Sequence, residues 1–207
     1  MIRSVTLSAK GTRLNRRGLE TRQQLLSVAV RCLAAGGPDA VSANLVARKA
    51  GATWGVVQHQ FGDADGLWAA VLEHIATQSE PMVPAVSSDA DVPELVRAII
   101  DMLWEAIDLP GSHAIHNLRL GLPRQVRDLE RSYPKTAAAI ASWDAAWTAG
   151  CKQAFDGLPV DHDKLQRMVA LLPGAMMGLR TEEHLVTYVD IDEARRGLTE
   201  AVTAYLA

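Results

Sequence analysis

The stretch 42–61 carries the side chains whose types and spacing best suit recognition chemistry. Gln58, His59 and Gln60 are three consecutive polar residues near its end. The amide of Gln58 could pair with the edge of an adenine base through two hydrogen bonds, and such a pair is worth roughly 1–3 kcal/mol of base discrimination. We therefore ask which elements could present these side chains to another molecule.

Two short helices separated by a turn at residues 50–52 are predicted to position them. Ser42 can cap the first helix and Thr53 the second, because a hydroxyl oxygen accepts a hydrogen bond from an otherwise unpaired backbone N–H group. The apolar residues of the second helix recur at helical spacing, at Trp54, Val57 and Phe61. This spacing leaves the three polar residues available for contacts elsewhere. This arrangement is typical of a helix-turn-helix, whose second helix lies in a DNA major groove.

Residues 19–72 resemble the amino-terminal domain of the tetracycline-repressor (TetR) family in residue type and in spacing. The matching positions are Thr21-Arg22, Ala50-Gly51, Thr53, Gly55, His59, Phe61 and Gly66-Leu67. The rest of the chain resembles the family only in its helical layout.

The resemblance implies that His59 donates a hydrogen bond to a DNA phosphate and that Gly55 lets the backbone approach DNA closely. Trp54 could contact a thymine methyl group or sugar, or it could cover the surface of the small domain. Two positions depart from the family, which usually has tyrosine at Gln58 and often lysine at Ala64, so two common backbone contacts are weakened or lost. The predicted DNA-contacting residues are Ser42, Thr53, Trp54, Gly55, Val56, Gln58, His59, Arg16 and Arg17.

The net charge of −3 conceals an uneven distribution. Residues 1–60 hold nine Lys and Arg against two acids, which leaves the remainder with an excess of ten negative charges. Such asymmetry is typical of a chain with one end that meets a polyanion, although a basic tail without a partner gives the same pattern. Residues 1–18 are predicted to form a flexible basic arm that could lie along phosphates, enter the minor groove or remain solvated.

Helical periodicity in every later segment predicts an all-α fold of about nine helices. We expect the arm at 1–18, a three-helix DNA-binding domain at 19–62, and an effector-binding and dimerisation domain at 63–207. The first helix is predicted to start at Leu19, and Asp192 is predicted to cap the last one.

The resemblance further implies a small-molecule effector, largely apolar, that releases a homodimeric repressor from double-stranded operator DNA. The last two helices would form the dimer interface, with Gly174 and Gly178 allowing close approach, and two-fold symmetry predicts an inverted-repeat operator. Aromatic, methionine and polar residues could line the effector site, although core packing or a solvated helix face explains any one of them as well. These candidates are Met102, Trp104, His113, His116, Arg119, Trp143, Trp147, Met176, Met177 and Arg180.

Two other readings stay open. His113 and His116 could ligate a metal in a helical enzyme, but no third ligand is fixed by spacing and the familiar catalytic motifs are absent. The other reading is an adaptor that binds a ligand or a protein and whose helix-turn-helix no longer recognises DNA. Gln58 and Ala64, which replace the family's usual contact residues, leave this reading open. We expect no cofactor, no bound metal and no membrane partner. We also expect a cytoplasmic location, because the start of the chain lacks the apolar run of a signal peptide.

Overall fold

The structure is a computed structural model that describes residues 7–36, 38–78, 90–183, 185 and 188–207. The described residues are almost entirely helical, apart from an isolated antiparallel bridge between Leu7 and Arg13 and one 3-10 turn at Pro38–Ala40. The all-α class is confirmed, with one helix more than the predicted nine in this part of the chain. The ten α-helices are α1 Arg16–Gly36, α2 Ala43–Lys49, α3 Trp54–Phe61, α4 Ala64–Gln78, α5 Val92–Ile107, α6 Pro110–Gly121, α7 Val126–Ser132, α8 Pro134–Ala154, α9 His162–Glu183 and α10 Ile191–Leu206.

Two helix starts differ from the sequence prediction because a different residue caps each helix. Helix α1 starts at Arg16 rather than Leu19, since the side chain of Asn15 accepts a hydrogen bond from the backbone N–H of Gly18 at 2.8 Å. In α10 the capping residue is Asp190, which accepts from the backbone N–H of Glu193 at 3.0 Å. The predicted cap, Asp192, instead lies within the first turn.

The chain forms two compact units, one from residues 1–79 and 110–142 and the other from residues 80–109 and 143–207. The first unit contains α1 to α4, α6, α7 and the beginning of α8. The second contains α5, α9, α10 and the rest of α8. The functional domain limits predicted from the sequence, at residues 18 and 62, remain a prediction.

In the first unit, α1 supplies one apolar stripe to the core. Leu25, Ala29 and Leu33 recur at spacings of four along this stripe and are almost completely buried. Val46 of α2 and Val57 of α3 are also fully buried. Burying a Val or Leu side chain contributes about 1.5–3 kcal/mol, so these contacts hold the two short helices against the longer one.

The turn between α2 and α3 has the geometry that its sequence predicts. Ser42 caps α2 by accepting a hydrogen bond from the backbone N–H of Leu45 at 3.3 Å. Gly51 has a φ of +66°, which a side chain would strain, and the backbone N–H of Ala52 donates to the carbonyl of Ala47 at 2.9 Å. This turn fixes the direction in which α3 leaves α2.

Helix α6 packs along α1 within the first unit. Ala114 and Leu118 are fully buried on one face of α6, and the side-chain amide of Asn117 donates to the carbonyl of Leu33 at 2.8 Å. At the start of α6, a Cβ placed on Gly111 would lie 2.8 Å from a methyl carbon of Ile75 in α4. Helix α6, which comes later in the chain, therefore packs against α1 and α4, the two helices that flank the helix-turn-helix.

The start of α8 is capped by a side chain from α4. Asp65 is buried, and its carboxylate accepts the backbone N–H groups of Lys135 at 3.0 Å and Thr136 at 2.8 Å. The hydroxyl of Thr136 donates to the same carboxylate at 2.8 Å. A carboxylate at a helix N-terminus satisfies unpaired N–H groups and is stabilised by the helix dipole.

The second unit has its own apolar core, built from α5, α8, α9 and α10. Helix α5 is anchored by a capping box between Asp91 and Glu94, and Leu95, Ile99 and Ile100 are buried along it. Helix α9 contributes a stripe at helical spacing, namely Leu165, Met168, Val169, Leu172 and Met176. No helix in the described part of the chain has both the length and the hydropathy that a membrane crossing requires.

Candidate nucleic-acid interface

Helix α3 has one buried face and one exposed face. Val57 and Phe61 are buried against the first unit. Trp54, Gln58 and His59 are exposed on the other face, with Trp54 at 37% of its full accessibility. The helix therefore presents an indole, an amide and an imidazole together, which is a set suited to contact with base edges and phosphates.

Gln60 does not belong to that exposed set, and its prediction as a contact residue is wrong. Its side chain is 3% exposed, and its amide donates to the carbonyl of Gly18 at 3.0 Å. Its own backbone carbonyl accepts from the guanidinium of Arg22 at 2.7 Å, and that guanidinium lies 4.4 Å from the ring centroid of Phe61. Gln60 thus fastens the end of α3 to α1 rather than facing outward.

Burial lowers the pKa of Arg22 from its usual value, and the nearby Glu73 carboxylate opposes that shift. Arg22 of the Thr21-Arg22 pair thus stabilises the contact between α1 and α3.

The residues at the start of α3 are also accessible. Thr53 is the capping residue by position, but its side chain makes no capping hydrogen bond, and it is exposed. Gly55 is exposed, and a Cβ placed on it would meet only the hydroxyl of Thr53, at 3.7 Å. Val56 is half-buried between the two faces. Nothing inside the described fold therefore requires a glycine at position 55.

Part of the predicted flexible arm is packed on the first unit. Residues 1–6 lie outside the described residues, whereas Ser8 and Leu14 are buried. The backbone N–H of Ala9 donates to the carbonyl of His59 at 3.1 Å. Arg16 and Arg17 are exposed at the start of α1, and Arg16 pairs with Glu20 at 2.9 Å.

Among the predicted effector residues, Trp104 and Arg180 come together in the second unit. The Arg180 guanidinium lies 3.9 Å from the centroid of the Trp104 ring and 2.7 Å from a carboxylate oxygen of Asp108. It also pairs with Glu183. The Arg180 side chain is 13% exposed, so it does not lie on a solvated helix face. Arg195, which the sequence prediction did not include, also lies near this pair. Its guanidinium is 5.1 Å from the centroid of the Trp104 ring.

The apolar effector candidates of the second unit are mostly half-buried. Trp147 donates its indole N–H to the carbonyl of Val169 at 2.9 Å, and Met176 is completely buried in the core. The remaining candidates, Met102, Trp143 and Met177, are half-buried. Core packing therefore accounts for Met176, whereas the others retain accessible surface.

The polar candidates on α6 belong to the first unit instead. His113 and His116 are half-buried and Arg119 is exposed. Burial, and to a lesser extent the neighbouring His113, lowers the pKa of His116 below its usual value, so this imidazole favours its neutral form. In the described residues no group of three or more His, Cys, Asp and Glu side chains could hold a metal ion.

The cysteine of the second unit does not provide an activated thiol. Cys151 is fully buried in the second unit, and burial raises the pKa of its thiol to about 12. The thiolate is the reactive form of cysteine, so this residue is inert near neutral pH. Cys32 is half-buried in α1.

The fold is that of an all-α protein with an amino-terminal helix-turn-helix, and we call its second helix, α3, the reader helix. Residues 25–71 match the model of a family described as bacterial regulatory proteins, tetR family. These amino-terminal residues thus match the TetR family, in agreement with the resemblance drawn from the sequence motifs.

Two curated relatives are both described as HTH-type transcriptional regulator BetI. The protein from Proteus mirabilis (strain HI4320) is 34% identical over 83 residues, which are 39% of this chain and 42% of the relative. The protein from Stenotrophomonas maltophilia (strain R551-3) is 32% identical over 93 residues, which are 44% of this chain and 47% of the relative. The chain thus spans less than half the length of these relatives.

Solved structures of the same fold cover nearly the whole chain. A tetR-family transcriptional regulator from Streptomyces coelicolor has a TM-score of 0.64 and 18% identity, over 90% of this chain and 80% of its own. The multidrug binding protein EbrR, complexed with imidazole, has a TM-score of 0.61 and 22% identity, over 97% and 98% of the two chains. At these identities the likeness establishes the fold alone.

Proposed function

We propose that the protein is a ligand-responsive, DNA-binding transcriptional regulator, and specifically a repressor that a small molecule releases from an inverted-repeat operator. The observation that carries this proposal is the exposed face of α3, set on a module that matches the TetR family. Trp54, Gln58 and His59 are not needed for the core of the unit, so they are available to a partner. A cytoplasmic location follows from the same proposal.

Each exposed residue of the interface has a distinct role in this proposal. Gln58 reads an adenine edge and thereby contributes to sequence preference, while His59 and Thr53 donate hydrogen bonds to phosphates and fix the position of the helix. Trp54 packs on a thymine methyl group or a sugar. Ser42, Val56, Arg16 and Arg17 flank these contacts.

The dimer interface is proposed on α9 and α10. Leu171 of α9 is 61% exposed and Tyr205 of α10 is 40% exposed, although both are large side chains with apolar surface. Gly174 and Gly178 have open space above their Cα atoms, which permits a second helix to approach closely. Pairing of two copies along these helices would give the protein two reader helices, which matches the two half-sites of an inverted-repeat operator.

The effector site is proposed in the second unit, around Trp104 and Arg180. A flat aromatic ring in a partly apolar setting favours a largely apolar ligand, and the two carboxylates that pair with Arg180 disfavour an acidic one. Binding would regulate the protein only if the ligand favours one arrangement of the dimer over another.

The test compares binding to DNA from upstream of the protein's own coding sequence with binding to a mixed-sequence duplex. The native protein should prefer the upstream DNA. Gln58→Ala should reduce that preference by about 1–3 kcal/mol at one base pair, whereas His59→Ala should weaken binding to both duplexes by a similar factor. Lys152→Ala, an exposed change on α8 in the second unit, serves as the control and should have no effect.

A native dimer with no preference for any promoter fragment would contradict the proposal and favour the adaptor reading. If Gln58→Ala and His59→Ala both keep the native preference for the upstream DNA, another surface of the protein recognises the DNA sequence.

A further inference from the structure

Residues 7–13 form a closed turn, which we call the basic turn. The backbone N–H of Ser8 donates to the carbonyl of Thr12 at 2.8 Å, and that of Gly11 donates to the carbonyl of Ser8 at 2.9 Å. The hydroxyl of Ser8 accepts from the backbone N–H of Thr12 at 3.2 Å, and Gly11 has a φ of +76°. These bonds define a β-turn over residues 8–11, so this segment has a conformation of its own.

The basic turn is attached to the carboxyl end of α3. The last carbonyl groups of a helix lack partners within the helix, and the backbone N–H of Ala9 satisfies the carbonyl of His59 at 3.1 Å. A Cβ placed on Gly62, the residue after α3, would lie 3.5 Å from the Cβ of Ala9, which is ordinary contact distance. The side chains of Ser8 and Leu14 are buried on either side of this bond.

The turn brings exposed positive charge beside the reader helix. Lys10 lies at the tip of the turn and Arg13 at its base, and both are exposed. Neither forms an ion pair with any residue in the described part of the chain. Residues 7–17 contain four bases and no acid. A polyanion complements such a surface, and the phosphate backbone of DNA carries a regular series of single negative charges.

We propose that the basic turn is a preformed phosphate-binding site of the DNA interface, held beside the reader helix by the Ala9–His59 hydrogen bond. This inference rests on the proposed DNA-binding function and adds Lys10 and Arg13 to its contacts. A tail would have to be ordered when DNA binds, whereas a turn that is already docked avoids that entropic cost. The turn also supplies phosphate contacts that Gln58 and Ala64 do not.

Two variants separate the charge of the basic turn from its attachment. Lys10→Ala/Arg13→Ala removes two cations and leaves the backbone bonds of the turn. Ala9→Pro keeps both cations but removes the N–H that donates to His59. Proline is favoured at the second position of a β-turn, which Ala9 occupies, so the turn itself should be retained.

The measurement is the affinity of the full chain for a labelled mixed-sequence duplex as a function of salt concentration. In the double variant, the slope of log affinity against log salt should become shallower by about 2 for each protomer bound, and so by about 4 for the proposed dimer, since each phosphate contact contributes about 0.9. Ala9→Pro should bind the duplex several-fold more weakly than the native protein. Lys152→Ala, which removes a cation from the second unit, should match the native protein in slope and affinity.

The outcomes distinguish this inference from the proposed function. If the native protein binds duplex DNA and the double variant has the native slope, the basic turn does not contact phosphates and the inference is overturned alone. If Ala9→Pro binds as tightly as the native protein, with an unchanged circular dichroism spectrum, the attachment to His59 is irrelevant and the inference also fails. If the native protein does not bind duplex DNA at low salt, both proposals fail.

Discussion

At position 55, an exposed glycine lies inside the helix that carries the candidate DNA contacts. A glycine in a helix interior is less favourable than alanine by about 1 kcal/mol. A Cβ at this position would meet only the hydroxyl of Thr53 at ordinary contact distance. Packing within the unit does not explain the glycine, whereas the proposed close approach of α3 to DNA would explain it.

We therefore expect Gly55→Ala to increase stability and to weaken DNA binding. The free energy of unfolding should rise, by less than the interior value of about 1 kcal/mol because Gly55 lies in the first turn of α3, and the new methyl group clashes with nothing in the free protein. The affinity for duplex DNA should fall, because the same methyl group would separate the helix from the phosphate backbone. Thermal unfolding and a DNA titration of the same preparation measure both effects.

Gly197→Ala is the matched control for this prediction. Gly197 lies inside α10, and a Cβ placed on it has no neighbour within 4 Å. It should raise the free energy of unfolding by about 1 kcal/mol, since Gly197 is in the helix interior, with unchanged DNA affinity. Unchanged affinity in Gly55→Ala as well would mean that the backbone of α3 does not come close to DNA.

The three consecutive polar residues of α3 show what sequence can predict at the residue scale. Helical spacing correctly assigned Val57 and Phe61 to the core and left Gln58 and His59 exposed. Gln60 was assigned wrongly because its partner, the carbonyl of Gly18, belongs to a distant part of the chain. Periodicity within one helix carries no information about which polar side chain a neighbouring helix will bind.

At the scale of the element, the start of α8 depends on a carboxylate from another helix. Tyr133 precedes this helix and provides no short side-chain acceptor for its first N–H groups, whereas Asp65 of α4 accepts two of them. We expect Asp65→Ala to lower the free energy of unfolding by about 2 kcal/mol or more, since it leaves buried donors without a charged acceptor. Chemical denaturation would measure the loss.

Lys135→Ala provides the comparison for this prediction. The ammonium of Lys135 lies 3.7 Å from the carboxylate of Asp63, and both side chains are more than half exposed. An exposed pair of this kind contributes about 0–1 kcal/mol, so the variant should be nearly as stable as the native protein. Equal losses in the two variants would show that the Asp65 cap has no special importance.

The helix boundaries illustrate the same limit of sequence at this scale. The break between α7 and α8 falls at Tyr133 because the proline that follows restricts this residue and disfavours helix there. The caps of α1 and α10 were missed or misplaced, since Asn15 lies in a polar segment and Asp190 is two residues from the equally suitable Asp192. Where several short polar residues are adjacent, their types alone do not distinguish which one caps the helix.

For the whole molecule, the proposed dimer has a direct test on α9. We expect Leu171→Glu to shift the protein from dimer to monomer, because an unpaired carboxylate would be buried on each side of the interface. Sedimentation velocity should show the shift, and the helical circular dichroism signal should be unchanged, since Leu171 is mostly exposed within one copy. Affinity for an inverted-repeat operator should fall with the loss of the dimer.

Val126→Glu is the corresponding change in the first unit. Val126 of α7 is 67% exposed, and an acidic residue is favourable in the first turn of a helix. This variant should remain dimeric. A native-like dimer in Leu171→Glu would exclude this part of α9 from the interface.

The contribution of α6 to the first unit has a practical consequence for protein engineering. Residues 110–142 complete the packing around α1, so a fragment that stops after α4 would leave Leu33 without Asn117 and its apolar neighbours. A hybrid protein that joins residues 1–79 to the ligand-binding domain of another protein would therefore lack part of the packing around α1. Such a graft should also carry the later segment, even though it is separated from the reader by some thirty positions of the chain.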